Sequence, residues 1–433
     1  MQTIVIVGGG AGGLELATRL GDSAGKAGTA RIILVDRWPA HFWKPLLHTV
    51  ASGKRAAQAS EVDYVAQATE HGFEFTRGEL LAVQREQRCI ELAPLLAEDG
   101  AQLLPPRRIA YDKLVLALGA VTNFFQVPGA AEHVLTLDNV AQAEAFRQRF
   151  LDGCITASAL HAADPGAKAG IDIVIVGGGA TGVELAAELS YSARALARYK
   201  VHALDPVRHV RIRLLDRGPR LLPHLQARQS RRAARHLRSQ GIKVFTDTVV
   251  ARVEPHAVID SDGAIYPSSI TLWAAGVEAP AICATLGLPV NRLGQIMVQP
   301  SLRAGAEQHI YALGDCASLT CPSQGLVPPR AQAAHQQALF LAQVLAAPDK
   351  EAERAFAYRD YGSLVSLGPL AAIGAVSGAL GLGKLPVGGA VARLLYALMY
   401  RMHLLALHGF MRMVARTVAD WIVNKISPSV RLH

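Results

Sequence analysis

The stretch IVIVGGGAGGLELATRL at residues 4–20 recurs as IVIVGGGATGVELAAEL at residues 173–189. Each copy has an apolar, β-branched run, then G-x-G-x-x-G, then a helix-forming stretch. An apolar run ending in an acid follows each copy, at Asp36 and at Asp216. A strand, a glycine turn, a helix and an acid-terminated strand form the context in which this motif binds a dinucleotide. The repeat therefore predicts an α/β fold with two Rossmann-like dinucleotide-binding domains.

The glycines of each copy have separate roles. The first allows a tight turn, the second lets the backbone approach a pyrophosphate, and the third lets the helix pack close to the sheet. These residues are Gly8, Gly10 and Gly13 in the first copy and Gly177, Gly179 and Gly182 in the second. Asp36 follows its motif by 23 residues and Asp216 by 34, and an acid at about 20 residues binds a ribose hydroxyl. The alternative is two ordinary strand–helix turns of a doubly wound sheet.

Composition limits the function classes. The 433 residues suffice for two or three domains, and the 51% hydrophobic content excludes a disordered protein. Five cysteines without a Cys-x-x-Cys pair exclude a disulfide scaffold and a zinc ribbon, and we expect no metal site. The net charge of +9 calls for an acidic partner, either anionic lipid or phosphorylated cofactors, since the low aromatic content disfavours nucleic acid. Met1-Gln2-Thr3 leads directly into the first strand without a signal peptide, which favours the cytoplasm.

Over about its first 345 residues the chain resembles the flavoproteins with two dinucleotide-binding domains. The resemblance implies FAD in the first domain and NAD(P)H in the second. It also implies that Gly12 and Gly119 meet the FAD, that Gly276 meets the nicotinamide nucleotide, and that Asp315 in Ile310–Asp315 binds FAD through a hydroxyl. The alternative for Asp315 is a helix N-cap.

This organisation predicts the domain bounds. We expect a discontinuous FAD-binding domain at residues 1–140 and 290–355, and an NADH-binding domain at residues 141–289. Residues 356–433 are expected to form C-terminal strands and membrane-associating helices.

Two further runs resemble the type II NADH dehydrogenases (NADH:quinone oxidoreductases). One is HFWKPLLHTVASG at residues 41–53 and the other is VPPRAQAAHQQ at residues 327–337. A helix opening near Pro329 would present Gln332, His335 and Gln336 on one face, because residues three and four apart are neighbours on a helix.

In the family, that face meets the flavin and the quinone. The resemblance thus assigns Ala331 and Gln332 to FAD, assigns Gln332, His335 and Gln336 to the quinone, and makes Gln332 and His335 catalytic. The alternative is an ordinary polar helix face.

Three charged residues each allow two interpretations. The resemblance places Glu184 near the nicotinamide and flavin, in NADH binding and proton delivery, whereas an acid in a first helical turn is favoured by the helix dipole alone. Lys44 would approach the FAD, or would be a solvated charge. Asp216 would repel a 2′-phosphate and so favours NADH over NADPH, although Arg217 follows it directly.

Related enzymes use cysteines differently. Disulfide reductases of this fold carry a redox cysteine pair soon after the first unit, where this chain has none. We interpret Cys316 as a packing residue. The intact second glycine motif favours a nicotinamide over sulfide as electron donor. A sulfide:quinone or disulfide-type reductase is the rival enzyme, and a non-catalytic FAD/NAD-binding sensor at the membrane is the rival from another class.

The C-terminal region predicts contact with a membrane surface. Residues 363–383 lack charge but contain five glycines and Pro369, so we expect two short strands, Ser363–Gly368 and Ala372–Ser377, rather than a transmembrane helix. Residues 390–424 combine an apolar helical stripe with cationic residues, a pattern typical of a helix lying in the interface. The stripe comprises Val391, Leu394, Leu395, Leu398, Met402 and Leu405, continued by Phe410, Met413, Val414 and Trp421, and the cations are Arg393, Arg401, Arg412, Arg416, Lys425 and Arg431. The alternative is a helical pair packed on the protein body or on a dimer partner.

Together these features predict a peripheral, non-proton-pumping flavoenzyme on the cytoplasmic face of the inner membrane. It would pass two electrons from NADH through non-covalent FAD to a membrane quinone. Residues 385–433 would bind the anionic lipid surface, and a homodimer is a further expectation.

Overall fold

A computed structural model describes residues 1–164, 169–199, 205–321, 325–346, 354–368, 371–377, 384–426 and 430, with side chains except at 384 and 424–426. The predicted cation Arg431 lies outside the described residues, as does Pro369. Contacts divide the chain into two compact units. Unit 1 comprises Met1–Trp43, Ser60–Val121 and Val277–Asp360, and unit 2 comprises Lys44–Ala59, Thr122–Gly276 and Tyr361–His433.

The α-helices are α1 (Ala11–Leu20), α2 (Leu47–Ala51), α3 (Tyr64–His71), α4 (Ala130–His133), α5 (Val140–Ala163), α6 (Ala180–Arg198), α7 (Pro206–His209), α8 (Ala227–Ser239), α9 (Ala331–Ala346) and α10 (Gly389–Ile426). Short 3₁₀ turns occur at Lys44–Leu46, Gln58–Ser60, Ala281–Thr285 and Gly314–Cys316, and a π turn occurs at Gly21–Gly25.

The strands are β1 (Gln2–Val7), β2 (Ala30–Asp36), β3 (Ala40–His41), β4 (Val62–Asp63), β5 (Glu74–Arg77), β6 (Leu80–Gln84), β7 (Cys89–Leu92), β8 (Leu95–Leu96), β9 (Gln102–Leu104), β10 (Arg107–Ala110), β11 (Lys113–Leu116), β12 (Val121–Thr122), β13 (Ile171–Val176), β14 (Val210–Leu215), β15 (Lys243–Phe245), β16 (Val250–Glu254), β17 (Ala257–Asp260), β18 (Ile265–Pro267), β19 (Ile270–Trp273), β20 (Val277–Glu278), β21 (Ile296–Met297), β22 (Ile310–Ala312), β23 (Ala317–Ser318), β24 (Thr320–Cys321), β25 (Gly325–Leu326), β26 (Gly362–Ser366), β27 (Ala372–Ser377) and β28 (Lys384–Gly388).

Unit 1 is built on a parallel sheet in the order β22-β11-β1-β2-β5. The run at Ile4–Val7 is buried along its whole length, as expected for a parallel strand covered on both faces. A three-stranded antiparallel sheet, β10-β7-β6, adds Ile90 and Leu92 to the same core, which also contains Cys316. Helix α1 packs against α9.

Unit 2 repeats this plan with a parallel sheet in the order β15-β14-β13-β19. The registers of the two repeats agree, because Ile4 lies opposite Ile32 in unit 1 and Ile173 lies opposite Ile212 in unit 2. The two Rossmann-like units of the predicted α/β fold are confirmed.

The first glycine of each motif turns the chain directly after the strand that precedes it. Gly8 has φ +106° and Gly177 has φ +114°, a region that side chains other than glycine rarely adopt. A Cβ at Gly8 would lie 2.2 Å from the carbonyl oxygen of Ala117, and a Cβ at Gly177 would lie 2.5 Å from that of Ala274. Both positions thus require glycine for conformation and for space.

The two repeats differ in the length of the helix that follows. Helix α1 has 10 residues and α6 has 19, and the short helix α7 follows α6 before β14 begins. The longer helix accounts for the larger spacing between the second motif and Asp216.

The strands predicted around residues 363–377 are confirmed as β26 and β27, which pair antiparallel. Sequence reasoning missed β28, which pairs with β27 on its other edge. Lys384–Gly388 is short and contains a proline, which is disfavoured inside a strand, so its sequence gives little indication of one. Within the charge-free run at 363–383, the structure describes residues 363–368 and 371–377, and most of these form strands β26 and β27.

Helix α10 is two helices joined at Gly409, whose φ of 73° and ψ of 177° are not helical. Arg401 Nη1 lies 2.8 Å from Asp420 Oδ2. In one straight helix, residues 19 apart would be about 28 Å apart. The chain therefore turns back at Gly409 into a helical hairpin. By length and composition alone, Gly389–Val423 is the one candidate membrane span among the described residues.

The two faces of α10 are distinct. Its buried side chains, which pack within unit 2, are Ala392, Tyr400, Leu404 and Leu407. Its exposed large apolar side chains are Val391, Leu394, Leu398, Met399, Met402, Leu405, Phe410, Met411, Val414, Val418, Trp421, Ile422 and Val423. Most of the predicted apolar stripe thus faces outward. The alternative in which this stripe packs on the protein's own body does not hold.

The predicted domain bounds stay a prediction, since they divide the chain by ligand. The compact units divide it by packing and place Thr122–Gly276 and the segment from Tyr361 onward in one unit, together with Lys44–Ala59.

Candidate functional site

The glycine corner of unit 1 ends at an open helix N-terminus. Gly10 is the N-cap of α1, has an extended backbone and receives no side-chain capping bond. A Cβ placed there would meet nothing within 4 Å. The first amides of α1 therefore face free space, which suits a pyrophosphate at the positive end of the helix dipole. These observations fit the predicted dinucleotide.

The predicted ribose-binding acid of unit 1 is tied to this corner. Gly9 N donates to Asp36 Oδ2 at 2.6 Å, and Trp38 N donates to Asp36 Oδ1 at 2.8 Å. His41 Nδ1 and the Tyr64 hydroxyl both lie within 2.9 Å of the carbonyl oxygen of Gly9. The corner and its acid thus form one hydrogen-bonded assembly.

The corner of unit 2 has the same geometry. Gly179 is the uncapped, extended N-cap of α6, and a Cβ there would also meet nothing within 4 Å. Gly178 N donates to Asp216 Oδ2 at 2.5 Å, and Gly218 N donates to Asp216 Oδ1 at 2.8 Å. The Arg217 guanidinium lies over the ring of Phe125, 5.6 Å from its centroid. The second corner therefore fits a second dinucleotide.

The remaining glycines of the predicted sites have different structural roles. A Cβ at Gly12 would lie 2.5 Å from Leu313 Cδ1, so Gly12 allows α1 to approach its neighbours closely. Gly119 has φ +69° with open space around it. At Gly276 a Cβ would lie 2.7 Å from Phe125 Cζ. Gly13 and Gly182 bring α1 and α6 against the carbonyl oxygens of Gly8 and Gly177, respectively.

Two other predicted FAD residues are also placed. Asp315 lies within the 3₁₀ turn Gly314–Cys316, whose N-cap is Leu313, so the alternative role of Asp315 as an N-cap is wrong for this turn. Gln295 Nε2 donates to its backbone carbonyl at 2.9 Å. Lys44 begins the 3₁₀ turn Lys44–Leu46 in unit 2 and is exposed.

Helix α9 begins at Ala331, after both prolines rather than at Pro329, and Arg330 accepts the first helical amide bonds. The side chains on the predicted quinone face of α9 form hydrogen bonds within unit 1. Gln332 Nε2 donates to Asp360 Oδ1 at 3.2 Å. Gln336 makes two hydrogen bonds with the backbone of Arg359, at 2.8 and 2.9 Å.

His335 lies opposite a buried acid. Its Nδ1 is 2.6 Å from Glu15 Oε2, and Glu15 Oε1 forms a salt bridge with Arg19 at 2.8 Å. Glu15 is 1% exposed, whereas His335 is 32% exposed. The three predicted quinone residues do share one face, and their roles stay predictions.

Glu184 is the fifth residue of α6, so its predicted place in the first turn is wrong. The helix begins only at Ala180, because Gly179 is extended, and the helix dipole therefore does not explain this acid. The side chain is buried at 8% exposure. Ser366 N donates to Glu184 Oε1 at 2.9 Å, and Tyr396 of α10 hydrogen-bonds the same carboxyl.

Burial raises the pKa of Glu184 to about 8. His48 Nδ1 lies 3.5 Å from Glu184 Oε2. Burial lowers the pKa of His48 to about 3, and the positive charge of the nearby Lys54 lowers it further. At pH 7 both groups are therefore neutral, and the contact is not an ion pair. Glu184 is a carboxylic acid that can hold and release a proton near neutral pH.

Sequence reasoning missed the surroundings of Glu184. Lys54 Nζ forms a salt bridge with the buried Glu188 at 2.8 Å, and Ser192 Oγ donates to the carbonyl of Ser52 at 2.7 Å. These bonds fix the segment Lys44–Ala59 against α6 within unit 2. One local signal could have indicated a buried pair of acids. Glu184 and Glu188 lie one helical turn apart, and the residues that flank them are apolar.

The cysteines are unsuited to thiol chemistry. All five are free and buried. Burial raises the pKa of the Cys316 thiol to about 12 and that of Cys154 to about 12, so neither is a thiolate at neutral pH. The interpretation of Cys316 as a packing residue agrees with its position in the core of unit 1. Among the described residues no group of three or more His, Cys, Asp and Glu side chains could hold a metal ion.

Comparison with known proteins agrees with this geometry. Residues 2–338 match the family described as pyridine nucleotide-disulphide oxidoreductase. The chain is 37% identical to a type II NADH:quinone oxidoreductase of Haemophilus influenzae, with all of both chains covered. It is 27% identical to one of Mycobacterium tuberculosis, covering 98% of this chain and 88% of the relative. The structure of NDH2 from Plasmodium falciparum in complex with NADH has the same fold, with a TM-score of 0.83, 19% identity and coverage of 100% and 99%.

Proposed function

We propose that this chain, which belongs to the pyridine nucleotide-disulphide oxidoreductases and within them to the type II NADH:quinone oxidoreductases, transfers two electrons from NADH through FAD to a quinone. The observation that carries the proposal is the pair of equivalent, uncapped glycine corners in one chain. A protein that binds a single dinucleotide needs only one such corner.

The flavin would supply the redox chemistry, since it accepts a hydride equivalent and returns electrons singly or in pairs. The chain's own residues would bind and orient the two dinucleotides. In unit 1 the open amides of α1 would hold the FAD pyrophosphate, with Asp36 at the ribose. In unit 2 the amides of α6 would hold NADH in the same way, and Asp216 would reject a 2′-phosphate.

The proton chemistry falls to Glu184. Reduction of a quinone to a quinol consumes two protons, so a buried acid that is protonated at pH 7 is suited to supply one. The resemblance to type II enzymes assigns this residue the same task. Gln332, His335 and Gln336 are the proposed quinone contacts, and Lys44, Gly119, Asp315 and Ala331 the further proposed FAD contacts.

Alanine at the second glycine of each motif tests the assignment. Gly10 and Gly179 have backbone angles that alanine adopts, and a Cβ there clashes with nothing in the protein. The added methyl would instead occupy the pyrophosphate position. We expect Gly10→Ala to purify with little flavin absorbance, and Gly179→Ala to keep its flavin but to need at least about ten-fold more NADH, a loss of roughly 1.4 kcal/mol.

Circular dichroism would verify that both variants are folded. If Gly10→Ala retained full flavin and Gly179→Ala raised no KM, the corners would not bind dinucleotides. Acid extraction followed by chromatography would distinguish FAD from a mononucleotide, and the ratio of kcat/KM for NADH and NADPH would establish the preference.

The rival thiol mechanism has its own test. Replacing Cys154, Cys283, Cys316 and Cys321 by serine should leave NADH-driven quinone reduction intact, because buried, protonated thiols take no part. A loss of activity in protein that is still folded and yellow would favour the disulfide-type reductase.

We further propose that the exposed apolar face of α10 lies in the surface of the membrane that supplies the quinone. An exposed apolar face of this size, flanked by arginines, is typical of interfacial helices. The break at Gly409 and the Arg401–Asp420 salt bridge argue against a single straight span. Exchanging Leu394, Leu398 and Met402 for glutamine should release the protein from lipid vesicles; unchanged binding would contradict the proposal.

The cytoplasmic face of the inner membrane is the proposed location. Inverted membrane vesicles, which expose that face, should oxidise added NADH, and intact right-side-out vesicles should not. The predicted homodimer can be checked by analytical ultracentrifugation in detergent.

A further inference from the structure

Helix α8 of unit 2 carries a stripe of exposed arginines. These are Arg228, Arg231, Arg232, Arg235 and Arg238, and every one is exposed. At 100° per residue they occupy an arc of about 120° on the helix. Helix α8 contains no acidic residue.

The arginine stripe lacks the partners that other arginines of this protein have. Arg31 pairs with Glu74, and Arg211 and Arg213 pair with Asp172. In the described part of the chain, no ion pair joins any arginine of the stripe to a carboxylate. Like charges three and four residues apart on a helix repel one another, so the stripe is unfavourable unless an external anion compensates it.

The opposite face of α8 is an ordinary packing face. Ala233 and Leu237 are fully buried, and Gln229 donates a hydrogen bond to the carbonyl of Gly374 in β27. Burial of one face fixes the orientation of the helix, and the arginines consequently point away from unit 2. The stripe is therefore a fixed feature of the surface.

The stripe lies beside the start of α10. A Cβ built at Gly388 would be 3.0 Å from Arg232 Nη1, and Gly389 is the first residue of α10. Both α8 and α10 pack against β27. A cationic surface is thus continuous with the base of a helix whose outer face is apolar. This combination favours a lipid surface, with phosphates at one level and acyl chains below, over a nucleic acid, which offers no apolar layer.

We propose that the α8 arginine stripe binds anionic phospholipid headgroups and extends the membrane contact of α10. The inference rests on the proposed membrane contact of α10 and adds a second contact surface, on α8, to it. Arginine suits this role, because its guanidinium forms bidentate hydrogen bonds with phosphate.

Vesicle sedimentation of the full-length, flavin-loaded protein tests the inference. The variant R228Q/R231Q/R232Q/R235Q should lose at least about 20-fold in partitioning onto phosphatidylglycerol-containing vesicles, since each basic residue near such a surface contributes about five-fold. Its weak binding to pure phosphatidylcholine vesicles should stay unchanged. The corresponding four-lysine variant keeps the charge and should retain most of the binding.

Removal of the same number of charges elsewhere provides the matched control. R31Q/R108Q/R149Q/R252Q changes four exposed arginines outside α8. If this control lost as much binding as the α8 variant, net charge alone would explain the effect and the inference would be overturned. Equal, salt-sensitive binding of the parent to a short DNA duplex, lost in the α8 variant, would also overturn it in favour of nucleic acid.

The outcome separates this inference from the proposed function. NADH oxidation with a water-soluble quinone does not need a membrane and should be the same in parent and α8 variants. If the α8 variant bound vesicles normally while the Leu394, Leu398 and Met402 exchange abolished binding, the stripe would have no lipid role, and the α10 contact would stand.

Discussion

Glu15 and Glu184 occupy the same position in the two repeats, as the fifth residue of α1 and of α6, and both are buried. Their surroundings differ completely. Glu15 faces two basic side chains, Arg19 and His335, at 2.8 and 2.6 Å. The direct partners of Glu184 are a backbone amide, a phenol and a neutral histidine, and the Lys54–Glu188 pair lies nearby.

Duplication of a sequence thus does not duplicate the surroundings of its acids. Cations beside a carboxylate stabilise its charge, whereas burial among neutral groups stabilises the proton. One copy of the repeat thus provides a structural ion pair and the other a group that can exchange protons near neutral pH.

The first prediction concerns activity. Glu184→Gln should lower quinone-reductase turnover about 100-fold at pH 7, because an amide cannot donate the proton. In the parent, turnover should decline as pH rises through about 8, where Glu184 loses its proton. Steady-state rates between pH 6 and 10 check both expectations. A flat parent profile together with an active variant would remove Glu184 from the chemistry.

The second prediction concerns stability. The pKa of Glu184 is about 8 in the folded state against 4.5 in the unfolded chain, so its contribution to stability is complete below pH 4.5 and is lost as pH rises to 8. Glu184→Gln should therefore remove about 4 kcal/mol of the loss in unfolding free energy between pH 5 and pH 8.5. Urea denaturation at both pH values measures this. The exposed Glu98→Gln serves as control and should leave the pH dependence unchanged.

The third prediction addresses the other member of the pair. Glu15→Gln leaves Arg19 and His335 without their buried partner and should cost about 1 to 2 kcal/mol, less than a fully buried pair because both bases reach solvent. Turnover should fall by much less than in Glu184→Gln. The two acids would be equivalent, and the contrast wrong, if both glutamine variants lost activity equally while retaining flavin.

The fourth prediction sharpens the role of α10. Tyr396→Phe removes a hydrogen bond that lowers the pKa of Glu184, worth about 1 kcal/mol. The high-pH limb of the activity profile should consequently move upward by less than one pH unit. Tyr191→Phe, on the same helix as Glu184, is the matched control and should not move it. An unchanged limb in Tyr396→Phe would show that the phenol does not act on Glu184.

Prediction from sequence succeeded where the information is local. The glycine corners, the strands that precede them and their acids depend on backbone conformation and spacing within about 40 residues, and the structure reproduces them in both repeats. The apolar stripe of α10 could also be read from its period, though not the direction in which it faces.

Prediction failed where the information is long-range. The first turn assigned to Glu184 was wrong because the extended conformation of Gly179 delays the helix. The partners of Glu184 are separated from it by more than 130 residues in the cases of His48, Ser366 and Tyr396, and no local pattern identifies them. The third strand, β28, was likewise missed.

The two glycine corners and the cationic, apolar C-terminal region could be predicted from the amino-acid sequence alone, because turn conformation and periodicity depend on consecutive residues. The packing of distant segments determines that Glu15 is ion-paired, whereas the direct partners of Glu184 are uncharged. It also determines that α10 folds back at Gly409 and turns its apolar face outward. The physical reason is that burial, charge compensation and exposure are set by neighbours that come together only when distant segments pack.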